Sequence, residues 1–148
     1  MDYTIMPMTA AHVAAVAAIE RQCFSDPWSE AAVASELENP LSDWLVAVSG
    51  AGLLGYVGSQ IVPDEADMMN LAVRPECRRQ GLARALVTAL VDDLRTRGVR
   101  SLTLEVRASN DAAIRLYRQL GFLQVGLRKN YYFHPKEDAL ILKKEWSL

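Results

Sequence analysis

Apolar residues recur along this chain with two periods, one of about three and a half residues and one of two, and their alternation outlines a fold. A short strand over Tyr3 to Met6 runs through Pro7 to Thr9, a good N-cap for a helix that turns Val13, Val16 and Ala17 inward. The segment Cys23-Phe-Ser-Asp-Pro-Trp28 breaks that helix, and Ser29 caps a second one that ends near Asn39-Pro40. Trp44 to Val48 and Leu53 to Val62 read as a hairpin around Ser49-Gly-Ala-Gly52, and Pro63-Asp64-Glu65 turns the chain into a strand from Met68 to Val73. From Leu82 the positions Ala85, Leu86, Ala89, Leu90 and Leu94 share one helical face, and Gly98 follows as a C′ residue. Ser101 to Val106 returns as a strand. Asn110 caps a last helix bearing Ala113, Leu116, Tyr117 and Leu120, closed by Gly121, before strands over Phe122 to Arg128 and Ala139 to Lys144.

The order is β-α-α-β-β-β-α-β-α-β-β. The helix from Leu82 to Arg97 is a crossover, so the strand after it should lie parallel to the strand before it in an otherwise antiparallel sheet. A three-layer α/β domain with a mixed sheet follows, as a single domain over residues 1–148 with no repeat or linker.

Composition narrows the function. With 51% hydrophobic residues and a formal net charge of −2, disorder is excluded and nucleic-acid binding by charge is disfavoured. Runs such as Leu45-Val-Ala-Val48 are too short to span a bilayer, and Met1-Asp-Tyr-Thr lacks the basic start of a signal peptide, so a cytoplasmic protein without a membrane partner is expected. Cys23 and Cys77 form no Cys-x-x-Cys pattern, and His12 and His134 are far apart. Reduced thiols and no metal are therefore expected.

The candidate chemistry starts at Asn70-Leu-Ala-Val-Arg-Pro-Glu-Cys-Arg-Arg-Gln-Gly-Leu-Ala-Arg84, a strand end, a turn rich in amide donors and the start of an amphipathic helix. Gly81 lets backbone approach a ligand where the first helical N–H groups lack partners, and Arg78, Arg79 and Arg84 add positive charge. A phosphate-bearing ligand fits. The P-loop spacing is absent, and Gly81 stands alone where a dinucleotide fingerprint needs three glycines. Beyond the parallel strand, Glu105 alternates with Leu104 and Val106 and stands near the same sheet end. An α-amino group titrates at about 8 and a thiol at about 8.5, so a carboxylate can serve as base and a phenol such as Tyr117 as proton donor to a thiolate. Both side chains also read as ordinary structural ones, a solvated Glu and a core Tyr.

Arg78-x-x-Gly81-x-Ala83 resembles the acyl-coenzyme A loop of the GNAT acetyltransferases. Phe24-Ser-Asp-Pro-Trp-Ser29, Leu104-Glu-Val-Arg-Ala-Ser-Asn110, Ala113-Ile-Arg-Leu-Tyr117, Leu120-Gly-Phe122 and Arg128-Lys-Asn-Tyr-Tyr132 extend the likeness. The Pro-Trp entry, Leu-Glu-Val-Arg-x-Ser-Asn and Asn-Tyr-Tyr together resemble the RimI-like branch, the ribosomal-protein-alanine N-acetyltransferases. That resemblance implies a sheet of about seven strands splayed after Val73 and Val106, with acetyl-coenzyme A in the gap. It implies Leu71, Ala72 and Val73 on the pantetheine and thioester. Arg79, Gln80, Gly81, Leu82, Ala83 and Arg84 fall on the pyrophosphate, Asn110 on a further cofactor contact, Glu105 as general base and Tyr117 as general acid.

The acceptor implied is a protein N-terminus, the N-terminal alanine of small-subunit ribosomal protein eighteen, modified by direct attack on the thioester by a monomer or weak dimer. Trp28 either shapes the acceptor entry or belongs to the core. Tyr131 and Tyr132 either order the acceptor backbone or pack as paired aromatics, and Asp64, Glu65 and Asp67 form an acidic turn that could draw a basic tail. Two alternatives stay open: a GNAT enzyme for another amine, such as a polyamine, amino acid or aminoglycoside, and a non-catalytic acyl-coenzyme A sensor.

Overall fold

A computed structural model describes residues 2–148. The strands are β1 (Thr4–Pro7), β2 (Ser42–Ser49), β3 (Gly52–Val62), β4 (Glu65–Val73), β5 (Ser101–Arg107), β6 (Leu123–Phe133) and β7 (Lys136–Glu145). The helices are α1 (Val13–Cys23), α2 (Glu30–Glu36), α3 (Leu82–Thr96) and α4 (Asp111–Gln119). The expected order of elements stands. One seven-stranded sheet runs β1-β2-β3-β4-β5-β7-β6, and β4 against β5 is its one parallel pair. The crossover α3 makes them parallel, as a right-handed connection of that length does.

Helices cover both faces. Leu82, Leu86, Val87, Leu90, Val91 and Leu94 of α3 pack with Ile114 and Tyr117 of α4 on one face, while Val13, Val16 and Ile19 of α1 and Val33 of α2 pack on the other. Val87 and Val91 carry the α3 seam where the sequence suggested Ala85, because the larger β-branched side chains fill the space above the sheet. Likewise Ile114, not Leu116, is the buried companion of Tyr117.

Two strands run beyond their expected bounds, with consequences. β4 starts at Glu65, so Glu65 and Asp67 are strand residues rather than parts of a turn. There is no acidic turn: Asp64 pairs with Arg100 at 2.8 Å and Glu65 with Lys143 at 2.9 Å. β6 extends to Phe133, and so carries Tyr131 and Tyr132.

β4 also bends. Gly58 pairs with Asn70 and Ser59 with Met68, which leaves Met69 as an extra residue, a β-bulge. Before it, Ala66 and Met68 face α3 and α4; after it Leu71 and Val73 do, while Asn70 and Ala72 face α1. Right at this bend β4 and β5 part. Their pairing consists of Glu65 with Ser101, Ala66 with Leu102 and Asp67 with Thr103, after which β4 continues alongside β3 to Val73 and β5 alongside β7 to Arg107.

Candidate active site

The gap between the diverging halves of β4 and β5 is the centre of the site. On its β4 side, Arg74 N–H donates to Leu54 C=O across to β3, so by strand alternation Ala72 also turns its N–H and C=O toward β3. Leu71 and Val73 therefore aim theirs into the gap. Of the three residues expected to meet a pantetheine, Leu71 presents free backbone edge and Val73 its N–H, its C=O accepting from Arg78 Nε, while Ala72 contributes only its side chain's place in the core. An extended amide chain can pair with such an edge as an added strand would.

Past β4 the chain makes a one-turn 3-10 helix, Pro75–Cys77, and then a concave loop in which Arg79 (φ 63°) and Gly81 (φ 79°) are both left-handed. Successive N–H groups in such a turn face one concavity. No side chain caps α3 at Gly81, so the N–H groups of its first turn are open to a ligand at the positive end of the helix dipole. The donor set suits a pyrophosphate. Two of the three expected arginines are engaged otherwise: Arg78 Nε donates to Val73 C=O at 3.2 Å and its Nη2 lies 3.4 Å from Cys23 Sγ, while Arg84 Nη2 donates to Gln119 Oε1 at 2.6 Å. Arg79 is left exposed, with no hydrogen-bond or ion-pair partner among the described residues. Asn110 caps α4, its Oδ1 accepting from Ala113 N–H at 3.2 Å, and stays exposed beyond the end of β5.

Glu105 and Tyr117 come at the gap from opposite faces. Glu105 alternates with the buried Leu104 and Val106 and so stands on the α1 side, its carboxylate 3.4 Å from Arg128 Nε. Tyr117 is buried on the α3 and α4 side, edge-to-face with Phe122. Its hydroxyl lies 3.7 Å from Met68 Sδ, at the point where the strands separate. A thioether is a poor acceptor, so this buried hydroxyl is under-partnered. Burial, and then the phenol of Tyr132, push the Tyr117 pKa well above the ordinary value. The phenol thus stays protonated, as a donor must, though it is a weaker acid than a free one. Tyr132 links the two: burial, then Tyr131 and Glu105, push its own pKa up to about 12.

On the α1 side, two loops meet. Ser25 Oγ donates to His134 C=O at 2.8 Å, and Asp26 faces His134 Nδ1 at 3.0 Å, so the α1–α2 loop touches the β6–β7 hairpin tip. Arg107 holds that tip through Pro135 C=O and His134 C=O, with its guanidinium 4.2 Å above the Tyr132 ring. Tyr131 is exposed and meets Tyr132 edge-to-face, and Trp28 is half-buried edge-to-face against Trp44. Trp28 is thus loop and core at once.

Sequence reasoning missed what holds Trp28 in place. Glu20, fully buried, accepts from Trp28 N–H at 2.8 Å, Asn70 Nδ2 at 2.6 Å and the Tyr56 hydroxyl. An acid among the apolar positions of α1 was the available signal. Cys77 is buried in the core near the phosphate loop and offers no nucleophile to the gap. Among the described residues no cluster of His, Cys, Asp or Glu could hold a metal ion.

A model of the acetyltransferase (GNAT) family matches residues 13–122. The [ribosomal protein bS18]-alanine N-acetyltransferase of Escherichia coli is 41% identical over 141 residues, spanning 94% of this chain and 95% of that protein. The N-alpha-acetyltransferase RimI of Mycobacterium tuberculosis is 38% identical over 148 residues, covering 96% and 92%. The crystal structure of the E. coli ribosomal-protein-S18-alanine N-acetyltransferase superposes with a TM-score of 0.91, covering 99% of this chain and 96% of that one at 39% identity. The split sheet, the open helix start beyond β4 and these likenesses agree: the chain belongs to the GNAT family of acetyl-coenzyme A-dependent acetyltransferases.

Proposed function

We propose that this protein transfers the acetyl group of acetyl-coenzyme A to the α-amino group of a protein N-terminus. The N-terminal alanine of ribosomal protein bS18 is the substrate of choice, since that is what the E. coli relative's name states for a protein aligned over nearly the full length of both. Such a substrate implies a cytoplasmic enzyme. The observation that carries the mechanism is the pair of polar side chains, Glu105 and Tyr117, that reach the strand separation from opposite faces.

Leu71 and Val73 pair with the pantetheine, and the N–H groups of Gly81 to Arg84 hold the pyrophosphate, with Arg79 and Gln80 closing the loop over it and Asn110 beside it. Glu105, directly or through one water, takes a proton from the α-ammonium. The freed amine attacks the thioester carbonyl carbon, forming the C–N bond as the C–S bond breaks, and the Leu71 N–H stabilises the oxygen on which charge develops. Tyr117 gives its proton to the departing thiolate, and the proton that the nitrogen sheds as the amide forms passes through water to restore the phenol. Tyr131, Tyr132 and Trp28 line the path of the acceptor's backbone.

The test is incubation with acetyl-coenzyme A and a short peptide beginning Ala-Arg-Tyr, following thiol release and locating the acetyl group by mass spectrometry. Transfer to the α-amino group, lost in Glu105→Gln with acetyl-coenzyme A affinity retained, supports the assignment. Turnover only with small amines would replace the acceptor, and cofactor binding with no turnover on any amine would make the chain an acyl-coenzyme A sensor.

A further inference from the structure

An acceptor ammonium that comes to Glu105 meets a cation already beside it, Arg128. Its Nε lies 3.4 Å from Glu105 Oε1, with the two side chains 55% and 30% exposed. The other cations of this sheet face are held elsewhere. Arg107 is engaged by Glu137 at 3.3 Å and by two carbonyls of the hairpin tip, and Lys143 is engaged by Glu65 at 2.9 Å. Arg128 has neither carbonyl anchors like those of Arg107 nor an ion pair as short as that of Lys143 among the described residues. Its guanidinium lies 5.7 Å from the Tyr131 ring centre, too loose to fix it.

A second carboxylate waits on the same face. Asp67 pairs with Thr103, the residue two before Glu105, and among the described residues it has no ion pair of its own. Burial and the charge of Glu65 push its pKa up, and Arg128 pulls it down, so the guanidinium is within electrostatic reach of Asp67 as well as of Glu105. A half-exposed cation thus lies beside the proposed base and within charge range of a second carboxylate on the same face.

We propose that Arg128 is a resident counter-ion of the acceptor site: its guanidinium occupies the place beside Glu105 that the acceptor's α-ammonium takes, and it moves toward Asp67 when the acceptor binds. This rests on the acceptor role proposed for Glu105. The exchange is of one cation for another, so the site is never left with an uncompensated carboxylate, and a neutral amine gains no such place. Asp67 is then a positioning residue that acts through Arg128.

The pair is partly exposed, so the competition it imposes is small, and displacing it raises the acceptor KM by about 1.5- to 5-fold. The test uses the full chain, acetyl-coenzyme A and an N-terminal alanine peptide free of charged side chains near its start. In Arg128→Gln the KM for this peptide falls by that factor with kcat little changed, and Arg128→Lys retains the wild-type value. In Asp67→Asn the KM rises by a similar factor, and the same substitution made in Arg128→Gln does nothing further, a non-additivity that a merely structural role would not produce. Raising the ionic strength erases the differences. A KM that rises in Arg128→Gln would make Arg128 a direct contact of the acceptor and overturn the inference, as would additive or absent effects of the two substitutions. A wild-type chain that acetylates no N-terminal peptide would remove the acceptor assignment and this inference together, whereas turnover with unchanged KM in both variants removes this inference alone.

Discussion

Glu20→Ala is the substitution away from the strand gap expected to cost most. The carboxylate is fully buried and accepts three hydrogen bonds, from Trp28 N–H, Asn70 Nδ2 and the Tyr56 hydroxyl, with no cation beside it. Truncation strands three donors, each costing about 1–3 kcal/mol when left unsatisfied in the interior. The half-buried Trp28 and Asn70 can recruit water into the space vacated, so the low end applies to them and a total of roughly 3–5 kcal/mol is expected. For a domain of this size that is a fall in Tm of about 6–20 °C. Glu20→Gln keeps the shape. Its amide oxygen can accept from Trp28, and the Tyr56 hydroxyl and a flipped Asn70 amide can accept from its nitrogen, so about 1 kcal/mol is expected there. Urea unfolding at a common m-value measures both, and steady-state kinetics adds a second readout. The α1–α2 loop is released at Trp28, so the acceptor KM should rise more than the acetyl-coenzyme A KM. An alanine variant that melts within about 2 °C of wild type would refute the reasoning, because three orphaned donors cannot be that cheap.

Tyr117→Phe removes a hydroxyl whose only partner is a thioether, so stability should hold or rise while kcat drops by about 10²- to 10⁴-fold; a variant with full kcat would leave proton donation to solvent. Asp43→Asn tests a pH effect. Burial, followed by the neighbouring Asp93, raises the Asp43 pKa from 3.8 to about 7 in the fold, so the native state binds the proton more tightly than the unfolded chain does. That contribution is fully present below about pH 4 and is lost as pH rises through 7, with a ceiling of about 4 kcal/mol. Asp43→Asn should therefore be more stable than wild type at pH 8, with the gap closing toward pH 4, less whatever the 3.4 Å pair with Arg97 contributes. Equal pH profiles of unfolding would refute it. Gly81→Ala meets no neighbouring atom, but its φ of 79° should cost about 1–2 kcal/mol and weaken acetyl-coenzyme A binding, both readable by calorimetry.

The order of elements was legible because each signal was local: the Gly98 and Gly121 stops, the Ser29 and Asn110 caps, and the apolar face of α3 all act within a few residues. Glu105 was legible from strand alternation and Tyr117 from its place on α4. Three things were not. The bulge at Met69 depends on pairing with β3, which no residue of β4 announces. The fates of Arg78 and Arg84 depend on how the loop folds back onto Val73 C=O and on Cys23 and Gln119, two partners remote in sequence. The supposed acidic turn dissolved because Arg100 and Lys143, brought in by β5 and β7, neutralise two of its members.

The bulge at Met69 also means that the character of the gap is a matter of counting. Up to Met68 the even-numbered positions face α3 and α4 and beyond Asn70 the odd-numbered ones do, so straightening the bulge with Met69 retained would swing the Asn70 amide into the apolar layer under α3 and turn the backbone groups of Leu71 and Val73 away from the gap, whereas deleting Met69 would restore plain alternation and keep both. In the straightened strand no residue would have changed, yet the backbone edge that faces the gap would be gone. Anyone reshaping this pocket should therefore treat the bulge in β4 as a design variable in its own right, and keep it, or remove it together with Met69, before altering any residue along the strand.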